Sequence, residues 1–193
     1  MGQEAGNEDD APDVVRKPDE VARRALGLFA AVSLGFRADR QAVLEWLTEE
    51  KLWDALSPIE KAFVDTASPS EKQMINASWW SERLIVLLWA LKLADALPPP
   101  NEQFKESFLD LLPPFSGVSV SQFIRDAKLR PNKELRDMQA KILRFHWQAR
   151  DDRLHGRTRY PTVDMEIIQE RHHAINWVIG YEGLAWDDVT ADT

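Results

Sequence analysis

Apolar residues recur along this chain at the spacing of helices. Val21, Ala25, Leu28, Phe29 and Val32 follow at intervals that predict a first helix, starting near Pro18 and closed at Gly35 by a left-handed cap. Asp39 is placed to cap a second helix carrying Val43, Leu44, Trp46 and Leu47. Ser57-Pro58-Ile59-Glu60 is a capping box with proline in the first turn, and predicts a third. Ser68-Pro69-Ser70-Glu71 repeats that start signal and leads through Trp79 to Leu97, where Pro98-Pro99-Pro100 forbids continuation. Between Leu84 and Leu91 every side chain is apolar, so the segment 69–97 reads as a central helix surrounded by others.

Beyond the prolines the pattern is least ordered over 98–131. Asn101 to Leu112 can hold a further helix with Phe104, Phe108 and Leu111, and Ser119 or Ser121 can cap a short one containing Phe123 and Ile124. A long helix from Lys133 to about His155 follows, closed by Gly156, with a stripe of Leu135, Met138, Ile142, Phe145 and Ala149. Pro161-Thr162 introduces the last strong helix, Val163 to about Ile179, ended by Gly180. No alternating strand pattern and no internal repeat is present. The prediction is an all-α, single-domain bundle of about six to eight helices over residues 18–193. Residues 1–17, rich in Gly, Asn, Asp and Glu, have no hydrophobic period and are expected to form a disordered acidic tail.

Composition narrows the partners. A chain of 193 residues, 44% hydrophobic, suits one domain with a real core. Its net charge of -8 argues against nucleic acid or an anionic membrane as a general partner. Cysteine is absent, which excludes disulfides and thiolate chemistry and favours the cytoplasm. Met1 to Asp10 lacks the apolar centre of a signal peptide, and the central apolar run is too short to span a bilayer.

Two charges break the apolar stripes. Glu82 lies in the middle of the central helix's stripe, and Arg171 in the middle of the last helix's stripe, among Ile167, Ile168, Ala174, Ile175 and Val178. Each needs a partner if buried, so the two are expected to meet as an ion pair joining these helices. Histidines form a second group: His146, His155, His172 and His173, with Glu170 three positions before His173 and Glu166 four before Glu170. One Glu-x-x-His pair suggests a carboxylate-bridged metal bundle, but the second pair such a site requires is missing, so no metal and no cofactor is expected. Arg150 followed by His155 fits the loose Arg-to-His spacing of an all-α class of ribonuclease domains, a pattern that needs structural context to mean anything. The eight tryptophans suit a helical core better than a binding groove.

Several of these stretches occur in a fixed order. R-A-L-G-L-F-A near Arg24, L-W-D-A-L-S-P-I-E-K-A-F from Leu52, W-S-E-R-L-I-V-L-L-W-A-L from Trp80, F-H-W-Q-A-R-D from Phe145, E-R-H-H-A-I-N-W from Glu170 and the closing W-D-D-V-T-A-D-T together resemble an uncharacterised, mainly bacterial family. That family is known as Domain of Unknown Function four-two-seven-two, and the likeness covers about Val21 to Thr193. The resemblance implies one domain. It also implies that the polar residues of its motifs belong together: Glu82, His146, Arg150, Asp151, Glu170, Arg171, His172, Asn176 and Asp187. It carries no assigned activity.

The reading that follows is a cytoplasmic helical module that binds a protein partner or small ligand, its helices held in register by a buried Glu/Arg/His cluster. The alternative is an enzyme of hydrolase or nuclease type, with His146, His172, Glu82 or Glu170 as general acid-base groups beside anion-binding arginines. A cleft lined by these residues would favour the enzyme, and a dry cluster closed on itself would favour the scaffold.

Overall fold

The computed structural model describes residues 13–104, 110–157 and 162–191. Among them the chain is helical throughout, without a strand. The helices are α1 Pro18–Gly35, α2 Arg40–Glu49, α3 Pro58–Asp65, α4 Glu71–Trp79, α5 Ser81–Ala90, α6 Val120–Arg125, α7 Asn132–Leu154 and α8 Met165–Ile179, with short 3-10 turns at Trp53–Ala55, Tyr181–Gly183 and Trp186–Asp188. No helix is long and apolar enough to cross a membrane among these residues.

Local chemistry accounts for most helix starts. The Asp39 carboxylate accepts from the Ala42 N–H at 2.8 Å, and Ser57 with Glu60 closes a full capping box. Ser70 with Gln73 closes a second, which starts α4 at Glu71. Ser119 caps α6, and Asp164 caps α8 by accepting from Glu166 and Ile167. Gly180, with φ of 75°, turns the chain out of α8 as its position predicts.

Four expectations need correction. The central helix over 69–97 is two helices that meet at Trp80, and the second stops at Ala90. Its closure is a left-handed Lys92 (φ 63°), with the Leu93 N–H returning to the Leu88 carbonyl at 2.9 Å. Arg130 finishes the job from far along the chain: its Nε donates to the Trp89 carbonyl at 2.7 Å and its Nη2 to those of Ala94 and Asp95. Gly35 is not the left-handed cap of α1, which is Arg37 (φ 64°). Gly35 and Gly27 are helical and lack a side chain for another reason. A Cβ on Gly27 would lie 2.5 Å from the Ala55 carbonyl, and one on Gly35 would lie 2.6 Å from the Ser78 nitrogen. The expected helix over 101–112 falls partly outside the described residues, and its described ends are turn and coil.

The fourth correction concerns the tail. Asp13–Lys17 is packed chain: the Arg16 N–H donates to the Val178 carbonyl at 2.9 Å, and its guanidinium donates to the Leu184 carbonyl at 2.5 Å while lying over the Trp177 ring. Residues 1–12 lie outside the description.

The helices stack in the order α7, α8, α5, α1, α4, each packing on the next. α5 is buried at every position but Arg83, and α8 is buried continuously from Arg171 to Ile179. A helix enclosed on several sides presents no polar face to water, so any polar residue it carries must be satisfied inside. That condition governs everything on α8.

Candidate functional site

Glu170, Arg171, His172, His173 and Asn176 lie on consecutive turns of α8, so their side chains leave the helix in different directions. Arg171 reaches α5. His172 meets α7, and His173 meets the C-terminal turn.

Arg171 donates from Nε to Glu82 Oε2 at 2.9 Å, and Nη2 lies 2.8 Å from the same oxygen. Glu82 is wholly buried and Arg171 nearly so. The remaining donors of the guanidinium go to backbone: Nη1 to the Pro98 carbonyl at 2.7 Å and Pro99 at 3.2 Å, Nη2 to Glu102 at 3.1 Å. The other carboxylate oxygen, Oε1, accepts from the Phe104 N–H at 2.6 Å. The expected pair therefore exists and does more than join α5 to α8. It binds the proline-rich strap Pro98–Phe104 across both helices. Burial pushes the Glu82 carboxyl up from its ordinary value, while Arg171 and the Phe104 N–H pull it back.

The second group is built around two imidazoles. His146 Nδ1 on α7 lies 3.0 Å from His172 Nδ1, with the rings edge to face. The His172 ring also bonds the backbone of Ala191. A neutral imidazole has one proton; spent on that carbonyl, it leaves Nδ1 as an acceptor, so His146 donates. Asn176 completes the clasp, accepting from Gln139 at 3.4 Å and donating to the Thr190 carbonyl at 3.3 Å. Burial, and next His146, holds the His172 pKa down to about 4.

His173 faces Trp186. Its Nε2 lies 2.8 Å from the Trp186 carbonyl, which can only accept, so Nε2 carries the proton and the buried Nδ1 has no partner. Burial, and next the Arg83 guanidinium, depresses its pKa to about 3. Arg83 itself pairs with Glu170. Trp186 sits among two rings and a cation: His173 at 4.8 Å, Trp177 at 5.2 Å and the Arg24 guanidinium at 4.2 Å. Beside it Asp187 Oδ2 accepts from the Ile59 N–H at 2.9 Å, at the start of α3.

Arg24 and Glu60 are the pair that the sequence reading missed. Both are buried and joined directly, and Arg24 also donates to the Ala55 carbonyl. Glu60 serves twice, since its other oxygen closes the capping box on the Ser57 N–H. The signal was available: Arg24 lies on the α1 core face between Val21 and Leu28, as Arg171 lies on that of α8.

The nine candidate residues are thus not one cluster. Glu82 with Arg171, His146 with His172 and Asn176, and Glu170 with Arg83 form adjacent groups around α8, and Asp187 belongs to the docked C-terminal turn. Arg150 and Asp151 stand apart on the exposed end of α7, where Asp151 pairs with His155 and Arg157. The Arg150-to-His155 spacing therefore joins two exposed residues. None of the nine lines the clefts beside Pro98–Phe104, between Leu91 and Phe123, or between Phe36 and Met74. Among those residues no group of His, Asp and Glu is arranged to hold a metal ion.

A family model described as a domain of unknown function, DUF4272, matches residues 6–189. No curated protein and no solved structure matches the chain.

Proposed function

The chain belongs to the DUF4272 family, and from that premise we propose that it is a cytoplasmic helical binding module whose buried polar residues are scaffold and whose ligand site is the cleft beside the strap. One observation carries this reading. The groups suited to acid-base work are buried and engaged with each other or with backbone, while the strap that Arg171 and Glu82 hold forms the wall of an open cleft of about 830 Å³. That volume lies in the usual range of small-molecule sites, about 300–1,000 Å³.

The lining indicates the ligand. Ile85, Leu97, Phe104 and Leu111 supply apolar surface, Asp95 and Glu102 supply carboxylates, and among the described residues that line it there is no Lys, Arg or His. A neutral or cationic amphiphile fits these walls, and an anion does not. The absence of cysteine and the net charge of -8 support a cytoplasmic location and a partner other than nucleic acid.

Calorimetric titration of the purified protein with n-octylamine and with octanoate, below their micellar concentrations, tests this. The amine should bind saturably and the carboxylate at least about tenfold more weakly. Asp95→Lys with Glu102→Lys should abolish that preference without lowering Tm, because both side chains are exposed. Equal binding of the two amphiphiles, or no saturable binding of either, would overturn the assignment.

A further inference from the structure

The cleft beside the strap does not end where its carboxylates do. Leu93 lines it, and Leu93 also lines a second groove, of about 310 Å³, between the end of α5 and α6. The two adjoin at that residue. Leu91, Val118, Phe123 and Ala127 give the second groove apolar walls, and Lys92 and Lys128, both exposed, are its lining cations. Opposite charges thus stand on the two sides of one leucine: Asp95 and Glu102 in the first cleft, Lys92 and Lys128 in the second. Among the described residues none of these four side chains makes an ion pair, although Lys92 and Asp95 are only three positions apart. Asp126, the acid that lines the second groove, is already engaged with Arg125.

The turn that separates these charges is held from both sides. Lys92 is left-handed, the Leu93 N–H returns to the Leu88 carbonyl, and Arg130 donates to the carbonyls of Ala94 and Asp95. A residue other than glycine stays in the left-handed region only when its surroundings hold it there, so Leu93, 36% exposed, is presented on a fixed ridge.

We propose that the two grooves are one site and that its ligand is a linear zwitterion, with a primary ammonium at Asp95 and Glu102, an apolar chain crossing Leu93, and a carboxylate at Lys92 and Lys128. This rests on the reading of the strap cleft as the ligand site and names the class of ligand it takes. Charge complementarity at both ends selects the occupant. A diamine would set an ammonium against the lysines, and a dicarboxylate would set a carboxylate against Asp95 and Glu102. Successive Cα atoms are about 3.8 Å apart, so those of Lys92 and Asp95 lie at most about 11 Å from each other, a span that a chain of about eight carbons covers. Because both lysines are exposed, their attraction for a carboxylate alone is weak, and it adds once the ammonium has tethered the chain.

The test is calorimetric titration of the full chain with 8-aminooctanoate, 1,8-diaminooctane and n-octylamine. The amino acid should bind at least about fivefold more tightly than the diamine. Lys92→Glu with Lys128→Glu should reverse that order, leaving n-octylamine within about threefold of its wild-type affinity and Tm unchanged, since both side chains are exposed. The shorter 4-aminobutanoate cannot cross Leu93, so the same two substitutions should leave its binding unchanged. Saturable binding of n-octylamine with no preference between amino acid and diamine, or a preference that survives the double substitution, would overturn the zwitterion and leave the strap cleft as an amine site. No saturable binding of any of these compounds would overturn both readings.

Discussion

Two regions of the core solve one problem by different chemistry. On one side of α8, Arg171 and Glu82 hold the irregular strap Pro98–Phe104 as an ion pair; on another, His146, His172 and Asn176 hold the C-terminal segment Thr190–Ala191 through imidazole and amide hydrogen bonds. Each satisfies backbone groups that no helix can satisfy. The difference lies in what disturbs them. Burial pushes the Glu82 carboxyl up while the guanidinium stays charged, so acid does not count against folding at the first clasp, whereas it weakens the second when His172 takes up a proton.

The comparison breaks most sharply at Arg171. Arg171→Met should cost about 3 to 5 kcal/mol in chemical denaturation, because it strands the Glu82 carboxylate and leaves the Pro98, Pro99 and Glu102 carbonyls without their donor. Glu82→Gln should cost less, since an amide can still accept from Phe104. Adding Glu82→Leu to Arg171→Met should recover part of the loss, the carbonyls being left unpaired; strict additivity would show that the two do not interact.

The histidine clasp is tested by acid. A ring whose pKa is depressed in the folded state binds protons more readily unfolded, so its contribution is complete above the unfolded value of 6.5 and lost as pH falls towards about 4 for His172. That loss amounts to roughly 3 kcal/mol, with His173 extending it towards about pH 3. His172→Gln should flatten the slope of stability against pH in that window, and an unchanged slope would count against the assignment. The strap should show the opposite sign: without its cation the buried Glu82 carboxyl takes up a proton, so the cost of Arg171→Met should be smaller at pH 5 than at pH 7.

A third segment sharpens the contrast from outside. A chain beginning at Pro18 should be less stable than one beginning at Asp13 by roughly 2 kcal/mol, about 5 °C in Tm, because Arg16 loses its carbonyls and its place on Trp177. Equal melting would show that the docked residues contribute nothing. The smallest effect belongs to the exposed end of α7, where His155→Ala should change stability by less than about 0.5 kcal/mol.

What the sequence revealed follows from what one helix can show alone. Glu82 and Arg171 were legible because a charge centred in an apolar stripe must be answered from outside its own helix. Arg24 met the same criterion and needed only the same question. The break at Trp80 and the stop at Ala90 were not legible, because the left-handed residue there is Lys92 rather than a glycine and the cap comes from Arg130, 41 positions beyond Trp89. Arg150 and Asp151 misled for the converse reason: the end of α7 carries residues of the same types as the core, but there they are exposed.

The docking of Asp13–Lys17 and of Trp186–Ala191 against α8 sets the order in which the molecule can be made. Arg16 reaches a partner 168 positions later, and Glu82 one 89 positions later, so the contacts that complete the core join early residues to late ones. A nascent chain leaving the ribosome with α1 to α7 complete would expose the apolar faces that α8 is to cover, and neither clasp could close. Contacts of such sequence separation slow folding and prolong that exposure. The synthesis of α8 and the turn carrying Trp186 is therefore the step that commits this domain, and a chain stalled just before them would be a substrate for chaperones rather than a shortened but working protein.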